Sequence, residues 1–320
     1  MHQAELQELR LIMKNFIKAL LLALMLSVGH AAIADDLGSG AVAYNKGDFV
    51  TAFRLWEPLA AKGNAVAQFN IGKMYAESQG IRGDFKKAVN WYTLSAEKGN
   101  AIAQYHLGEM YFYGLGVEQS YKIAVNWYAL SADKGNVDAQ YNLGKMYFNG
   151  QGIDQDKNKA VKWYTLAAEQ GNIDAQKNLG MLYSLGEGVA HDDKVAIKWY
   201  TLAAEQGNSD AQRHLASMYD QGRGVEQDFA TAVKWFTLSA EQGDAQGQLH
   251  LSFMYRRGEG VMQDNVKALM WLNIAATDRI YKKLATPFRD TVAKLMPPAQ
   301  IKKAQEAANR CIKQKFKNCN

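Results

Sequence analysis

The residues able to do chemistry are few in this chain, and most of them return at a fixed interval. Ser95 with Lys98, and Ser131 with Lys134, have the Ser-x-x-Lys spacing in which β-lactam-binding enzymes present a serine nucleophile. Gly-x-Gly pairs such as Gly114 and Gly116 could open a phosphate-cradling loop. His106, His214 and His250 could ligate a metal, and Asp84, Asp156, Asp192, Asp228 and Asp264 could supply acid and base groups. Each reading weakens when the neighbouring segments are aligned. The two Ser-x-x-Lys sites fall where three other segments read Ala-Ala-Glu-Gln or Ser-Ala-Glu-Gln. The glycine pairs recur in five segments, with Ser78-Gln79-Gly80 in another, and follow no strand pattern. The histidines share a position with Asn70, Asn142 and Asn178, which suggests a surface hydrogen-bonding site, and the aspartates stand where helices begin, with Ser120 completing the series. No nucleophile, base and orienting group come together, so no catalytic residue, metal site or cofactor is predicted.

The elements that position these residues are set by a period of 36. Blocks begin at Ala65, Ala101, Val137, Ile173, Ser209 and Ala245. Tryptophan falls at Trp91, Trp127, Trp163, Trp199, Trp235 and Trp271, and tyrosine at Tyr75, Tyr111, Tyr147, Tyr183, Tyr219 and Tyr255. Each block reads as two helices. In four blocks the first follows Asn100, Asn136, Asn172 or Asn208, residues suited to an N-cap, and usually stops at the glycine pair; the second follows the Asp or Ser series and stops at glycines such as Gly135 or Gly171. Residues 59–286 contain no proline, which favours long helical runs. A 36-residue amphipathic hairpin cannot bury its apolar stripe alone and must stack on its neighbours. The predicted fold is therefore all-α: an α/α superhelical solenoid of six helix hairpins over residues 65–276. A capping half-repeat precedes it at 35–64, where Asp48 and Ala52 occupy the columns of Asp84 and Ala88 and Trp56 takes the tyrosine column. A basic cap with closing helices follows at 277–320, with Lys302 to Cys311 reading as amphipathic helix.

The pattern Ala-Gln-x-x-Leu-Gly-x-Met-Tyr-x-x-Gly-x-Gly-[Val/Ile], then Asp-x-x-x-Ala-x-x-Trp-Tyr and Ala-Ala-Glu-Gln-Gly, closely resembles the Sel1-like repeat, a relative of the tetratricopeptide repeat. It is carried most fully from Val137 to Asn172, and the resemblance spans roughly residues 41–276. Pro298-Ala299-Gln300-Ile301 and the closing cysteine pair are also similar to segments that follow such arrays in exported bacterial members. The resemblance implies a right-handed α/α solenoid acting as a non-enzymatic adaptor for a protein or peptide partner, often in the bacterial envelope. Its alternative is a carbohydrate-binding accessory or a hydrolase of the β-lactamase-linked, cysteine-rich branch, whose paired cysteines these repeats lack.

Because the blocks are copies, variation between them marks the face free to be specific. On a helical wheel, columns 3, 4, 7, 8, 10, 11 and 14 of the first helix share one arc and are nearly constant, whereas columns 2, 5, 6, 9, 12 and 13 vary. The variable columns are richest in aromatics early in the array: Phe69, Tyr105 and Tyr141 in column 5, and Phe112, Tyr113 and Phe148 in columns 12 and 13. Large rings on a variable face suit partner binding, and these six residues are the candidate contact set. The alternative is that they pack against the next hairpin.

The ends of the chain carry the remaining signals. Met13 to Lys18 is a basic start, Ala19 to Val28 an apolar run too short for the roughly 20 residues of a membrane span, and Ala32-Ile33-Ala34 a cleavage site. Residues 1–34 thus read as a signal peptide cut after Ala34, with translation beginning at Met13 because Glu5 and Glu8 are foreign to such leaders, and the mature chain as periplasmic or secreted rather than an integral membrane protein. The chain's net charge of +5 is uneven: residues 277–320 carry eleven Lys or Arg against three Asp or Glu, a net of +8, and the leader +1, leaving −4 for residues 35–276. The mildly acidic body suits no nucleic acid; the tail is either a solvated helix face or a contact for an anionic surface such as lipid or polysaccharide. Cys311 and Cys319 form an even pair, which reads as a disulfide in an oxidising compartment, a metal site being the alternative. On one continuous helix they would lie about 12 Å apart, so bonding requires the chain to turn back between them.

Overall fold

The computed structural model describes residues 36–317 and residue 319; the expected leader and its start at Met13 lie outside them. All regular elements among the described residues are helices. The opening hairpin joins a short helix, α1 (36–45), to α2 (Phe49–Ala61). Six hairpins follow: α3 (Ala65–Glu77) with α4 (Phe85–Glu97), α5 (Ala101–Tyr113) with α6 (Tyr121–Ala132), α7 (Val137–Asn149) with α8 (Lys157–Glu169), α9 (Ile173–Leu185) with α10 (Asp193–Glu205), α11 (Ser209–Gln221) with α12 (Phe229–Ala240), and α13 (Ala245–Arg257) with α14 (Asn265–Ala275). Two further helices, α15 (Lys282–Lys294) and α16 (Pro298–Lys313), end the chain. The fold class is an all-α solenoid of tandem hairpins.

Local chemistry explains the boundaries. Asn100 Oδ1 accepts the Ala103 amide at 3.0 Å, and Asn136, Asn172 and Asn208 repeat this bond at the heads of α7, α9 and α11. Asn64 and Asp244 do the same for α3 and α13, which extends the cap series to all six first helices. The second helices start on Asp84, Ser120, Asp156, Asp192, Asp228 and Asp264, each accepting from a backbone amide in the first turn. Such caps satisfy amides that helix geometry leaves without a partner.

Two compact units make up the described chain, residues 36–139 with 151–153, and residues 140–150 with 154–317 and 319. In the first, Ala52, Trp56, Ile71 and Met74 form one core cluster and Ala88, Tyr92, Ala103 and Leu107 another. In the second, Ala196, Tyr200, Ala211 and Leu215 repeat that arrangement. The last repeat differs: Trp271 is fully buried, whereas the other tryptophans of its column are half-buried, because Ala308, Cys311 and Phe316 of the closing segment join its cluster. After α16, Lys315 and Phe316 take positive φ values of 51° and 65°, and the chain turns back. This brings the Cα atoms of Cys311 and Cys319 to 5.0 Å, where the two are bonded.

Candidate partner-binding face

The repeating floor of the candidate face is a tyrosine on the second helix. The rings of Tyr92, Tyr128, Tyr164 and Tyr200 are buried. They lie so close to Gly72, Gly108, Gly144 and Gly180 that a Cβ at those glycines would come 2.8, 2.7, 2.8 and 2.6 Å from a ring carbon. Where this glycine becomes Ala216, the facing ring is Phe236. Glycine and tyrosine recur together in the first four blocks and change together afterwards, and that joint pattern was the sequence signal for this contact.

In the first unit, four candidate residues belong to one continuous chain of rings. Phe69 stacks on Tyr92 at 5.9 Å and on His106 at 5.7 Å. His106 meets Tyr105 edge-on at 5.1 Å, and Tyr105 tilts over Tyr128 at 5.9 Å. Phe112 lies 6.5 Å from Tyr128 and 4.9 Å from Tyr113. Glu109 anchors this chain: it accepts from the Tyr105 hydroxyl at 2.8 Å and pairs with His106 Nδ1 at 2.9 Å. Burial, reinforced by the Glu109 charge, pushes the Tyr105 and Tyr128 hydroxyls well above the usual phenol range, so both stay protonated donors. Tyr113 stands 62% exposed beside these half-buried rings.

In the second unit, Tyr141 and Phe148 line a cavity of about 200 Å³ with Tyr164, Lys145, Asn178 and Met181. Tyr141 tilts over Tyr164 at 5.8 Å, and Lys145 and Lys157 lie over the Tyr141 and Phe148 rings at 5.6 and 5.5 Å. The next cavity along, about 160 Å³, is lined by Lys177, Tyr200, Arg213 and His214 among others. Arg213 is tied down there, donating to Asp244 at 3.0 Å and Asp210 at 2.9 Å.

The structure shows how two of these columns are packed. Columns 5 and 6 are not a free surface: Phe69, Tyr105 and Tyr141 are half-buried because each covers a tyrosine of its own hairpin. The histidine column is likewise a stacking position. His214 lies on Tyr200 at 5.1 Å and 15°, and His250 on Phe236 at 5.0 Å and 8°. Burial, with the Arg213 charge next, lowers the His214 pKa to about 4, and burial lowers that of His250. The Ser-x-x-Lys residues serve the backbone: the buried Ser95 and Ser131 donate to the Ala65 and Ala101 carbonyls at 2.6 and 2.7 Å, and Lys98 and Lys134 to those of Gly63 and Gly99. Among the described residues no group of three or more His, Cys, Asp or Glu could hold a metal, and no helix is long and apolar enough to cross a membrane.

Tandem capped hairpins with a recurrent packed floor and a variable outer layer define a helical repeat scaffold. The Sel1 repeat family matches residues 65–100, 101–136, 137–172, 173–208, 209–244 and 245–278, and the chain belongs to that family. Sel1 repeat proteins are generally protein-interaction scaffolds. Among solved structures, the chain is similar to a Sel1 repeat protein from Oxalobacter formigenes, with 31% identity over 75% of this chain and 99% of that one and a TM-score of 0.64. It is also similar to a protective antigen present in uropathogenic Escherichia coli strains, with 30% identity over 90% of this chain and 70% of that one and a TM-score of 0.60. No curated protein matched.

Proposed function

We propose that this chain is a non-enzymatic scaffold of the bacterial envelope that grips a protein or peptide partner on the aromatic face of its early first helices. The observation that carries the reading is the ring chain through Tyr105, Phe112 and Tyr113, which ends at the solvent-exposed Tyr113. Rings already held by their neighbours lose little freedom on binding, so they offer contact area at low entropic cost. Tyr141 and Phe148, with the lysines over them, are a second contact set in the other unit. Delivery to the periplasm or exterior, with cleavage after Ala34, rests on the leader pattern.

A photo-crosslinking residue at Tyr113 in the native envelope should capture one protein in stoichiometric amount. The Tyr105→Ala/Phe112→Ala variant should lose that capture while keeping its helix content. Undiminished capture by the variant, or capture of glycan alone, would overturn the reading. Mass analysis of the mature chain tests export, with Asp35 expected at the N-terminus.

A further inference from the structure

The closing helix α15 carries two apolar faces where packing requires one. Its inner face, with Ala285, Phe288 and Val292, packs together with Met296 just past its end in a cluster with Leu249, Leu269 and Leu272. A second row runs along the outside of α15 and past both its ends: Leu284, Pro287 and Thr291 on the helix, Ile280 in the turn before it and Leu295 at its C-cap, at the i, i+4, i+7, i+11, i+15 spacing of one helix face. All five are exposed, Ile280 at 81%, Leu284 at 50% and Leu295 at 69%. Arg279, Lys282, Lys283 and Lys294 are exposed alongside, and none of them forms an ion pair with another described residue.

We propose that this face of α15 lies on a bilayer surface containing anionic phospholipid, a docking surface separate from the aromatic face. The apolar row would enter the boundary between headgroups and acyl chains, while the flanking cations meet lipid phosphates. The excess of eleven basic over three acidic residues in 277–320 supplies the attraction. An anionic polysaccharide would satisfy the cations and leave the apolar row without a partner. A second copy of this chain would bring the same positive charge to the contact. Because α15 has 13 residues and half its circumference packs inward, it rests on the surface rather than spanning it.

Co-sedimentation of the mature chain with phosphatidylglycerol–phosphatidylcholine vesicles, against phosphatidylcholine alone, tests this. Binding is expected only to the anionic vesicles, and it should weaken with salt. The Ile280→Ser/Leu284→Ser/Leu295→Ser variant should lose more than about tenfold in partitioning, since burying one such side chain already corresponds to roughly that factor. Its melting curve should match the wild type, because all three side chains are exposed. Lys282→Gln/Lys283→Gln should weaken binding through charge alone. The proposal fails if the chain ignores anionic vesicles or if the triple variant binds as well as wild type. It also fails if a soluble anionic polysaccharide is bound in their place, or if the row proves to mediate self-association without vesicle binding.

Discussion

At the scale of single residues, a buried glutamine in column 4 ties the first helix of several hairpins to the helix before it. Gln68, Gln104, Gln176 and Gln212 donate to the Ala60, Ala96, Ala168 and Ala204 carbonyls at 3.0–3.1 Å. In the later repeats its oxygen is satisfied too: Gln170, Gln206 and Gln242 donate to Gln140, Gln176 and Gln212 at 2.7–2.8 Å. Lys98 and Lys134 stand where those donors would be and bond backbone carbonyls instead, so Gln68 Oε1 and Gln104 Oε1 are buried with no hydrogen-bond partner. Lys98→Gln and Lys134→Gln should each stabilise the protein by about 1 kcal/mol, seen as a higher urea midpoint at unchanged slope. A lower midpoint would mean that the lysine bonds outweigh the orphaned oxygen. His214 sets a pH dependence. Its folded pKa of about 4 lies below the unfolded 6.5, so between these values the unfolded state binds more protons and stability falls as pH falls. Asp210 and Asp244 oppose the shift, and Arg213 and Lys177 add to it. Going from pH 7 to pH 4.5 should cost on the order of 2 kcal/mol, and His214→Asn, the residue type found elsewhere in the column, should flatten that dependence.

At the scale of elements, the two glycines of each Gly-x-Gly loop do different jobs. The first ends the helix; the second lets the loop touch the hairpin before it. Gly224 has φ of 70°, and a Cβ there would stand 2.7 Å from the Asp193 backbone carbon, beside the Arg223–Asp193 ion pair at 2.7 Å. Gly207, after α10, has φ of 91° with nothing within 4 Å of its would-be Cβ. Gly207→Ala should therefore cost about 1–2 kcal/mol, the left-handed penalty alone. Gly224→Ala should cost at least about 1 kcal/mol more, because backbone must move. Equal losses in denaturant melts would refute the close approach.

At the scale of the molecule, a tandem array exposes the apolar side of its last hairpin unless something covers it. Here α16 and the turned-back tail do so, burying Trp271 with Cys311 in the same cluster. The Cys311–Cys319 bond closes a loop of separation 8 around that turn. Replacing both cysteines by serine should lower stability by about 2–3 kcal/mol with little change in helix content. Denaturation of the wild type with and without reductant should show the same difference, and no difference would mean that α16 packing alone holds the end.

Features governed by local geometry were legible in the sequence: the helices, their Asn and Asp caps, the 36-residue register and the turn that Cys311 and Cys319 require. Capping, helix periodicity and chain reach depend on residues within a few positions of one another. What the candidate face presents was not legible, because a helical wheel sees one helix. Phe69 looks outward from α3, yet Tyr92 of its own hairpin and His106 of the next enclose it, and His214 is stacked on Tyr200 rather than solvated. Whether a side chain on the outer arc meets solvent or another ring is decided by helices tens of residues away, and only the tertiary structure brings those to within contact distance.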